Sequence, residues 1–386
     1  MKKLLLILLC LPMIGFGQQT YVPDDAFEGF LEANGMGNGI SNDDYVTTSN
    51  IDTVTILNIM YFLYPSDLTG IEDFTLLEQL DCSQLQLTSL DISQNTALTY
   101  LNCSYNQLTF LDLSNNTALT ELYCSYNQIT NIDVSANTAL IKLHCSGNFP
   151  YGNPTSNLDV SSNTALTELD CSENDLPTLD LSQNTSLIYL NCSSNDLPTL
   201  DLSQNTSLTY LDCSRSLVLT ALDVSANTAI EYLDCHDNLL NSLDVSNKPS
   251  LIYLYCNDNQ ITALDVSQSS DLIELNCNGN QLTNLDVKNG NNTNFIFFKS
   301  NENPNLTCIN VDDAIWSTAN WIQEWFVFDQ QHYFSNNCPP SSIQEHTTNK
   351  ELLKVTDLLG RETKQTNQPL FYIYDDGTVE KRIVIE

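Results

Sequence analysis

Leu98-Thr99-Tyr100-Leu101-Asn102-Cys103 is one copy of a string, Leu-x-x-Leu-x-Cys, that recurs along the middle of this 386-residue chain. The closing cysteines are 21 residues apart, except for one interval of 26 and one of 22 residues. They are Cys82, Cys103, Cys124, Cys145, Cys171, Cys192, Cys213, Cys235, Cys256 and Cys277. A fixed period of about 20 residues predicts a solenoid, in which each repeat forms one coil and buries its neighbours' apolar edges. Such an array offers a long binding face rather than a closed catalytic pocket, so an enzyme is only a distant alternative.

The same short pattern occurs twice within each repeat. Residues 108–116 and 119–127 both read Leu-x-x-Leu-x-apolar-x-x-Asn. The period of two around the second leucine predicts a short strand with one buried face, so we expect two strands in each coil. Neither half carries a helical pattern of ten residues. The predicted fold is therefore a flattened, mostly parallel β-solenoid with little helix and about 4.8 Å per coil.

This nested repeat resembles the short bacterial class of leucine-rich repeats, and the resemblance covers residues 54–290. It implies a leucine-rich-repeat solenoid in a secreted bacterial protein. Two repeats depart from the pattern. One carries five extra residues around Phe149–Pro154, and another has Arg215-Ser216-Leu217 where the strand-ending asparagine is expected.

Both ends of a solenoid need a cap, because an open end exposes core and unpaired strand edges. Residues 18–53 are predicted to form an N-terminal helical cap, since Pro23–Leu31 combines an acidic start with apolar helical spacing. Residues 291–340 are predicted to form a C-terminal cap. Within it, Cys308 and Cys338 are expected to form a disulfide, because they lie outside the cysteine register of an exported chain.

The N-terminus predicts export. Lys2 and Lys3 precede an apolar run from Leu4 to Phe16, so residues 1–17 are interpreted as a secretory signal peptide. No other apolar run reaches transmembrane length. With 48 acidic and 13 basic residues, the chain has a formal charge of −35. This acidity argues against nucleic acid or an anionic membrane as a partner.

The last part of the chain differs in charge and pattern. Residues 341–349 are predicted to be a linker, and residues 350–386 a small β-sandwich-like domain. Three strand patterns occur in it, at Leu352–Glu362, Leu370–Gly377 and Lys381–Ile385, with turns expected at Gly360 and Asp376-Gly377.

This tail resembles the C-terminal sorting domain of the type IX secretion system of Gram-negative bacteria. The resemblance rests on Val355–Arg361, on Tyr372-Ile373 and on the basic final strand. Gln368-Pro369-Leu370 departs from it, because a glycine usually precedes the tyrosine strand. The resemblance implies that the type IX machinery is a partner. It also implies that the protein is released or attached to the outer cell surface after the tail is removed.

The outward positions of the cysteine strands vary, and there we expect specificity. Tyr189, Tyr210, Tyr232 and Tyr253 fill one such position in four consecutive coils, beside Asp212, Asp234 and Tyr255, while Tyr100 and Tyr123 lie on earlier coils. Tyrosine is favoured at recognition surfaces, so these residues form the candidate face for a protein or glycan ligand. The alternative is an aromatic ladder that only holds stacked strands together, as in a structural or adhesion spacer without a dedicated ligand.

The remaining ladders favour structural roles. Parallel cysteine side chains do not converge on a metal, so they are interpreted as apolar filler. An asparagine ladder is expected to satisfy turn carbonyls; it comprises Asn106, Asn127, Asn148, Asn174, Asn195, Asn238, Asn259 and Asn280. An aspartate ladder is expected to be offset by hydrogen bonds from serines two residues on, with bound Ca²⁺ as the alternative. Its members are Asp91, Asp112, Asp133, Asp159, Asp180, Asp201, Asp223, Asp244, Asp265 and Asp286.

Catalysis has no support in the sequence. The four histidines, His144, His236, His332 and His346, are scattered over the repeats, the cap and the linker. We find no Ser-His-Asp arrangement, glycine-rich phosphate loop or His-x-x-x-His signature. No catalytic or metal-binding residues are therefore predicted.

Overall fold

The computed structural model describes residues 18–59, 64–148, 157–339, 352–356, 369–374 and 379–383. The chain divides into two compact units between Cys338 and Pro339. The predicted signal peptide, the predicted linker and the Phe149–Pro154 insertion lie outside the described residues, as do the turns predicted in the tail. The domain boundaries given above stay predictions.

A parallel sheet runs the length of the first unit and has thirteen strands among the described residues. Each coil adds one short strand, and the central residues of neighbouring strands are in register, as with Leu190 and Leu211. The strands are Ile56–Asn58, Gln79–Asp81, Tyr100–Asn102, Glu121–Tyr123, Lys142–His144, Glu168–Asp170, Tyr189–Asn191, Tyr210–Asp212, Tyr232–Asp234, Tyr253–Tyr255, Glu274–Asn276, Phe297–Lys299 and Phe326–Val327. The predicted solenoid is confirmed, because the sequence period of about 21 residues places one strand beside the next.

The second half of the coil differs from the prediction of two strands in every coil. A second parallel sheet has four strands in the described chain, all near its C-terminal end: Ala263–Asp265, Asn284–Asp286, Cys308–Asn310 and Tyr333–Ser335. In earlier coils the aspartate halves lie outside any strand ladder. Clefts of about 770 Å³ beside Asp91 and about 200 Å³ beside Asp180 lie along this half of the coil. There the coils are joined by side-chain hydrogen bonds, such as that from Asn116 Nδ2 to the carbonyl oxygen of Ile92 at 3.0 Å.

Leucine and cysteine side chains fill one continuous apolar core. In the coil of residues 98–106, Leu98, Leu101 and Cys103 are fully buried, while Tyr100 and Asn102 face outward. The ten ladder cysteines are all buried and free of disulfides within the described chain. The cysteine ladder therefore packs as apolar filler, as predicted.

Asparagine closes the corner after eight of the ten cysteine strands. Asn106 Nδ2 donates to the carbonyl oxygens of Cys82 and Cys103, both at 2.9 Å, and its Oδ1 accepts from the backbone N of Leu87 at 2.9 Å. The residue before this asparagine adopts a left-handed backbone, as at Tyr105 with φ of 58°. The predicted structural role of this ladder is confirmed, because each amide joins two neighbouring coils.

A second asparagine ladder, which was not predicted from the sequence, lies in the aspartate half. Asn116 Nδ2 donates to the carbonyl oxygens of Ile92 and Asn95, both at 3.0 Å. The buried members are Asn95, Asn116, Asn137, Asn163, Asn184, Asn205 and Asn227. The pattern Leu-x-x-Leu-x-apolar-x-x-Asn already contained this signal in both halves of the repeat.

The N-terminal segment covers the first coil. Strand Gln19–Tyr21 pairs antiparallel with strand Tyr45–Thr47, and helices Asp25–Ala33 and Thr48–Ile51 lie beside them. Asp24 caps the longer helix by accepting from the backbone N of Ala26 and of Phe27, both at 2.9 Å. Phe27 and Leu31 of this helix are fully buried in the solenoid core. Short 3₁₀ helices follow at Ile71–Asp73 and, near the other end, at Asn292–Asn294.

The C-terminal segment of the first unit is an aromatic cluster with a disulfide. Helix Ala314–Asn320 leads into Trp321, which is buried and touches the rings of Phe295, Phe298, Phe328 and Phe334. The predicted disulfide between Cys308 and Cys338 is present. Trp325, in contrast, is exposed and lies outside this core.

The second unit contains three strands among its described residues. Pro369–Tyr374 is the central strand and pairs antiparallel with Leu352–Thr356 on one side and with Val379–Ile383 on the other. These strands coincide with the three predicted strand patterns. They form one sheet, so a sandwich-like second layer stays a prediction.

Candidate recognition face

Four tyrosines lie side by side on the outer face of the long sheet. Tyr189, Tyr210, Tyr232 and Tyr253 are the first residues of four consecutive strands and are Cα partners in the parallel register. We call them the tyrosine stripe. Each ring is partly buried, while the leucine that follows it in the strand points into the core. Strand alternation therefore places the whole stripe on one outward face.

The rings of the stripe stack on one another. The ring centroids of Tyr189 and Tyr210 are 4.3 Å apart with planes at 15°, and those of Tyr210 and Tyr232 are 4.3 Å apart at 7°. Tyr253 is tilted by 48° at 5.9 Å from Tyr232. Burial raises the pKa of the Tyr189, Tyr210 and Tyr232 hydroxyls, so they stay protonated at neutral pH. Stacking covers the ring faces between these three tyrosines and leaves the ring edges outward.

Two carboxylates accompany the stripe at the other outward position of the strands. Asp212 and Asp234 are cross-strand partners. Oδ1 of Asp212 accepts hydrogen bonds from the backbone N and the hydroxyl of Ser214, at 3.0 and 2.7 Å. Burial, opposed by those hydrogen bonds and reinforced by the charge of Asp234, raises the pKa of Asp212. An acid that is costly to ionise lies at the centre of the face.

His236 is the partner of the second acid. Asp234 is 8 % exposed, and its Oδ1 lies 2.6 Å from Nδ1 of His236. This hydrogen bond raises the pKa of the histidine above its usual value, against the opposing effect of burial. The contact with Asp234 therefore favours the protonated, positively charged form of His236.

Tyr255 closes the stripe at its C-terminal end. Its ring centroid lies 5.8 Å from that of Tyr232, and its hydroxyl donates a hydrogen bond to the carboxylate of Glu274. Burial, followed by the bond to Glu274, raises the pKa of the Tyr255 hydroxyl. This predicted residue is thus held in contact with the stripe.

Tyr100 and Tyr123 belong to a separate group. Their ring centroids are 5.5 Å apart, and Tyr123 lies 4.8 Å from His144. In the sequence of coils, the strand with Lys142 and His144 and the strand with Glu168 separate them from the stripe. The structure therefore brings seven of the nine predicted face residues together and leaves these two apart.

A further pair of aromatic residues was overlooked in the sequence. Tyr105 and Tyr126 stack with centroids 4.7 Å apart and planes at 17°, at the left-handed corner after their strands. They are 55 % and 40 % exposed. The repeated string Cys-Ser-Tyr-Asn in two successive coils was the available signal.

The aspartate ladder lies on the opposite half of the coil. In nearly every coil Oδ1 of the aspartate accepts from the backbone N of the serine two residues on, as between Asp180 and Ser182 at 2.9 Å. Hydrogen bonds from the backbone N and from the hydroxyl of that serine lower the pKa of Asp180, as they do at the ladder positions from Asp91 to Asp244. The serine hydroxyl predicted from the sequence therefore contributes beside the serine amide. Among the described residues, one group of three carboxylates is close enough to share a metal ion, and Asp25, Glu28 and Asp44 form it outside the ladder.

None of the helices in the described ranges has the length and apolar character needed to cross a bilayer. No protein-family model and no curated protein matches this sequence.

Several solved structures are similar to the chain. The functional domain of InlJ from Listeria monocytogenes, which includes a cysteine ladder, is 28 % identical with a TM-score of 0.59; the match covers 94 % of this chain and 97 % of that one. An internalin, InlF, from Listeria monocytogenes is 21 % identical with a TM-score of 0.52, over 83 % and 97 % of the two chains.

A third similar structure comes from a plant. The leucine-rich-repeat ectodomain of a membrane receptor kinase from Arabidopsis thaliana is 19 % identical with a TM-score of 0.52, over 68 % of this chain and 35 % of that one. These likenesses confirm the leucine-rich-repeat fold that the sequence predicts.

Proposed function

We propose that this chain is a secreted or cell-surface binding protein whose tyrosine stripe recognises a protein or glycan. The observation that carries the proposal is the concentration of Tyr189, Tyr210, Tyr232 and Tyr253, with two acids, on four adjacent strands. At the same strand position several other coils carry glutamate, lysine or glutamine. Holding coils together therefore does not require tyrosine at these sites.

The geometry of the stripe suits recognition. Tyrosine combines a large apolar ring with a polar hydroxyl and has few side-chain rotations to lose on binding. The rings of Tyr189, Tyr210 and Tyr232 already support one another at 4.3 Å, so less conformational entropy is lost when a ligand binds. The flat array of short strands beneath them provides a rigid base.

The location of the protein is also a proposal. It is supported by the signal-peptide pattern of residues 1–17, by the basic and tyrosine strands of the tail, and by the likeness to leucine-rich-repeat proteins of Listeria monocytogenes. We infer export through a type IX system to the outer surface of a Gram-negative cell. The tail then acts as the address and the solenoid as the binding module.

A paired set of variants tests the binding role. Tyr210→Ser with Tyr232→Ser removes a stacked pair from the stripe, and Tyr105→Ser with Tyr126→Ser removes a stacked pair from the corner. Serine is compatible with that corner, because Ser194 occupies it in another coil with φ of 53°. The proteins are screened against a glycan array and a panel of purified proteins.

The binding role predicts a saturable ligand that the stripe variant binds at least about tenfold more weakly, or about 1.4 kcal/mol. The corner variant should bind it within about twofold of the parent. If the ligands found bind the stripe variant as tightly as the parent protein, the stripe is not the recognition surface.

A structural role is the second candidate, and the stacking itself favours it. Cross-strand aromatic pairs contribute about 0.2–1 kcal/mol each to sheet stability. For a spacer without a ligand, loss of Tyr210 and Tyr232 should lower the melting temperature markedly while surface binding stays unchanged. The same two variants, melted side by side, separate the candidates.

A further inference from the structure

The ring geometry of the tyrosine stripe restricts the class of ligand. A glycan that stacks on aromatic rings needs an exposed ring face. The rings of Tyr189, Tyr210 and Tyr232 cover one another at 4.3 Å with planes at 7° and 15°. What this part of the face offers is a row of ring edges and protonated hydroxyls.

Three aspartates make the charge beside the stripe negative. Asp170, Asp212 and Asp234 are third residues of their strands, and Oδ1 of each is bound within its own turn. Within the described part of the chain, Oδ2 of Asp212 accepts no hydrogen bond. The unused carboxylate oxygen gives the face a site for an incoming donor.

The nearby basic groups are engaged elsewhere. Lys142 and His144 both contact Glu168, at 3.3 and 2.8 Å. Arg215 lies 3.8 Å from Asp237 at the corner. His236 is thus the basic group paired with this acidic row, through Asp234.

A metal ion fits this row poorly. Ca²⁺ takes six to eight oxygen ligands. The described residues of the face do not bring three carboxylate, histidine or cysteine ligands within reach of one point. A lysine or arginine side chain needs only one or two acceptors, and its apolar stem can lie along the ring edges.

We propose that the stripe binds an extended segment of a partner protein that bears lysine or arginine, with its cations on Asp212 and Asp234. This inference rests on the binding role proposed above and names the chemistry of the ligand. Tyrosine hydroxyls accept further hydrogen bonds from the cations, and the aliphatic stems pack against the ring edges. The formal charge of −35 on the whole chain attracts such a segment from solution.

The test uses a matched pair of charge-removing variants in the purified chain. Asp212→Asn with Asp234→Asn acts on the proposed site. Asparagine is tolerated at position 212, because Asn191 accepts the same serine hydrogen bonds at 3.1 and 2.8 Å in a neighbouring strand. At position 234 an asparagine oxygen can still accept from the backbone N of His236, as Asp234 does at 3.1 Å. Asp180→Asn with Asp201→Asn removes the same charge from adjacent coils on the opposite half.

The probe is a fluorescein-labelled peptide, Arg-Ser-Arg-Ser-Arg, with a Gln-for-Arg version as its control. Anisotropy titrations are run at an ionic strength of about 0.15 M, where diffuse attraction is largely screened. We expect the arginine peptide to bind the Asp212/Asp234 variant at least about tenfold more weakly than the parent. We expect the Asp180/Asp201 variant to stay within about twofold of the parent.

Three results would overturn the proposal. If both variants bind the arginine peptide equally weakly, the lost affinity reflects only the net charge of the protein. If the arginine peptide binds no more tightly than the glutamine peptide, the ligand does not need a cation. Displacement of the peptide by millimolar Ca²⁺ in the parent, lost in the Asp212/Asp234 variant, would assign the acids to a metal.

The screen against glycans and purified proteins distinguishes failure of the binding role from failure of the cationic-ligand proposal. A ligand that the tyrosine variant loses and the Asp212/Asp234 variant retains would leave the binding role intact and refute the cationic ligand. Ligands unaffected by either variant would refute both.

Discussion

Lys248 shows what a single position can change in a repeat. It occupies the place in its coil where earlier coils put the second asparagine, and it is fully buried. Its Nζ donates to the carbonyl oxygens of Val224 at 2.6 Å and Asn227 at 3.3 Å. Nδ2 of Asn227 donates to the equivalent carbonyl oxygens one coil earlier, at 3.1 and 2.9 Å. An ammonium group thus replaces an amide in the same pair of hydrogen bonds.

Burial lowers the pKa of Lys248, and this determines the direction in which the stability of the protein changes with pH. The unfolded state binds more protons than the folded state between the two pKa values, so stability rises with pH through that interval. The penalty for burying the charge is fully present below the folded pKa and disappears above the unfolded pKa of about 10.4. We predict that Lys248→Asn abolishes this rise, measured by urea unfolding at neutral and alkaline pH.

A second substitution provides the control. Lys248→Met fills similar volume but removes the side-chain hydrogen bond to each of the two carbonyl oxygens, which should cost about 1–3 kcal/mol relative to Lys248→Asn. Equal stability of the asparagine and methionine variants would show that these hydrogen bonds contribute nothing.

At the scale of the element, the cysteine strands form the most uniform part of the molecule. Each thiol lies one coil from the next on the buried side of the long sheet. Parallel side chains on adjacent strands keep their β-carbons further apart than a disulfide allows. Burial raises the pKa of every ladder thiol, in the case of Cys103 to about 12, so these cysteines are poor nucleophiles.

This burial predicts a simple chemical count. The unreduced chain from residue 18, once denatured, should expose ten thiols to Ellman's reagent, and reduction should add the two of Cys308 and Cys338. The native protein should react hardly at all. A denatured count near zero would mean that the ladder is oxidised or metal-bound.

At the scale of the whole molecule, the boundary after Cys338 separates two compact units. The first contains the core, the caps and the disulfide; the second contains the three-stranded sheet of the tail. A unit with its own core folds without its neighbour. The solenoid therefore does not need the tail for its stability, which is compatible with a tail that acts only as a sorting signal.

Deleting residues 345–386 tests that division in a Gram-negative host with a type IX system. We predict that the truncated protein keeps its melting temperature, because the solenoid core is intact, but accumulates in the periplasm. A chain with a scrambled tail of the same composition controls for length and charge. Normal surface delivery of the truncated protein would refute the sorting role of the tail.

Much of the fold was predictable because every coil repeats the same pattern of residue types. The period of the leucines and cysteines predicts the stacking, and the recurring asparagine after Cys103 and its equivalents predicts a hydrogen-bonded corner. The spacing of Cys308 and Cys338 outside the register predicts their disulfide. These features depend on residue type and spacing alone, so they could be read along the chain.

Other features depend on distances between coils and on side-chain rotamers, which no repeat pattern encodes. Among the described residues the aspartate halves pair as strands only in the last coils, whereas asparagine side chains join the earlier ones. The tyrosines of the stripe use their ring faces on each other, which leaves edges and hydroxyls beside Asp212 and Asp234. Residue order predicted which side chains share the face, and only the tertiary structure decided what that face offers a ligand, because packing sets the ring orientations.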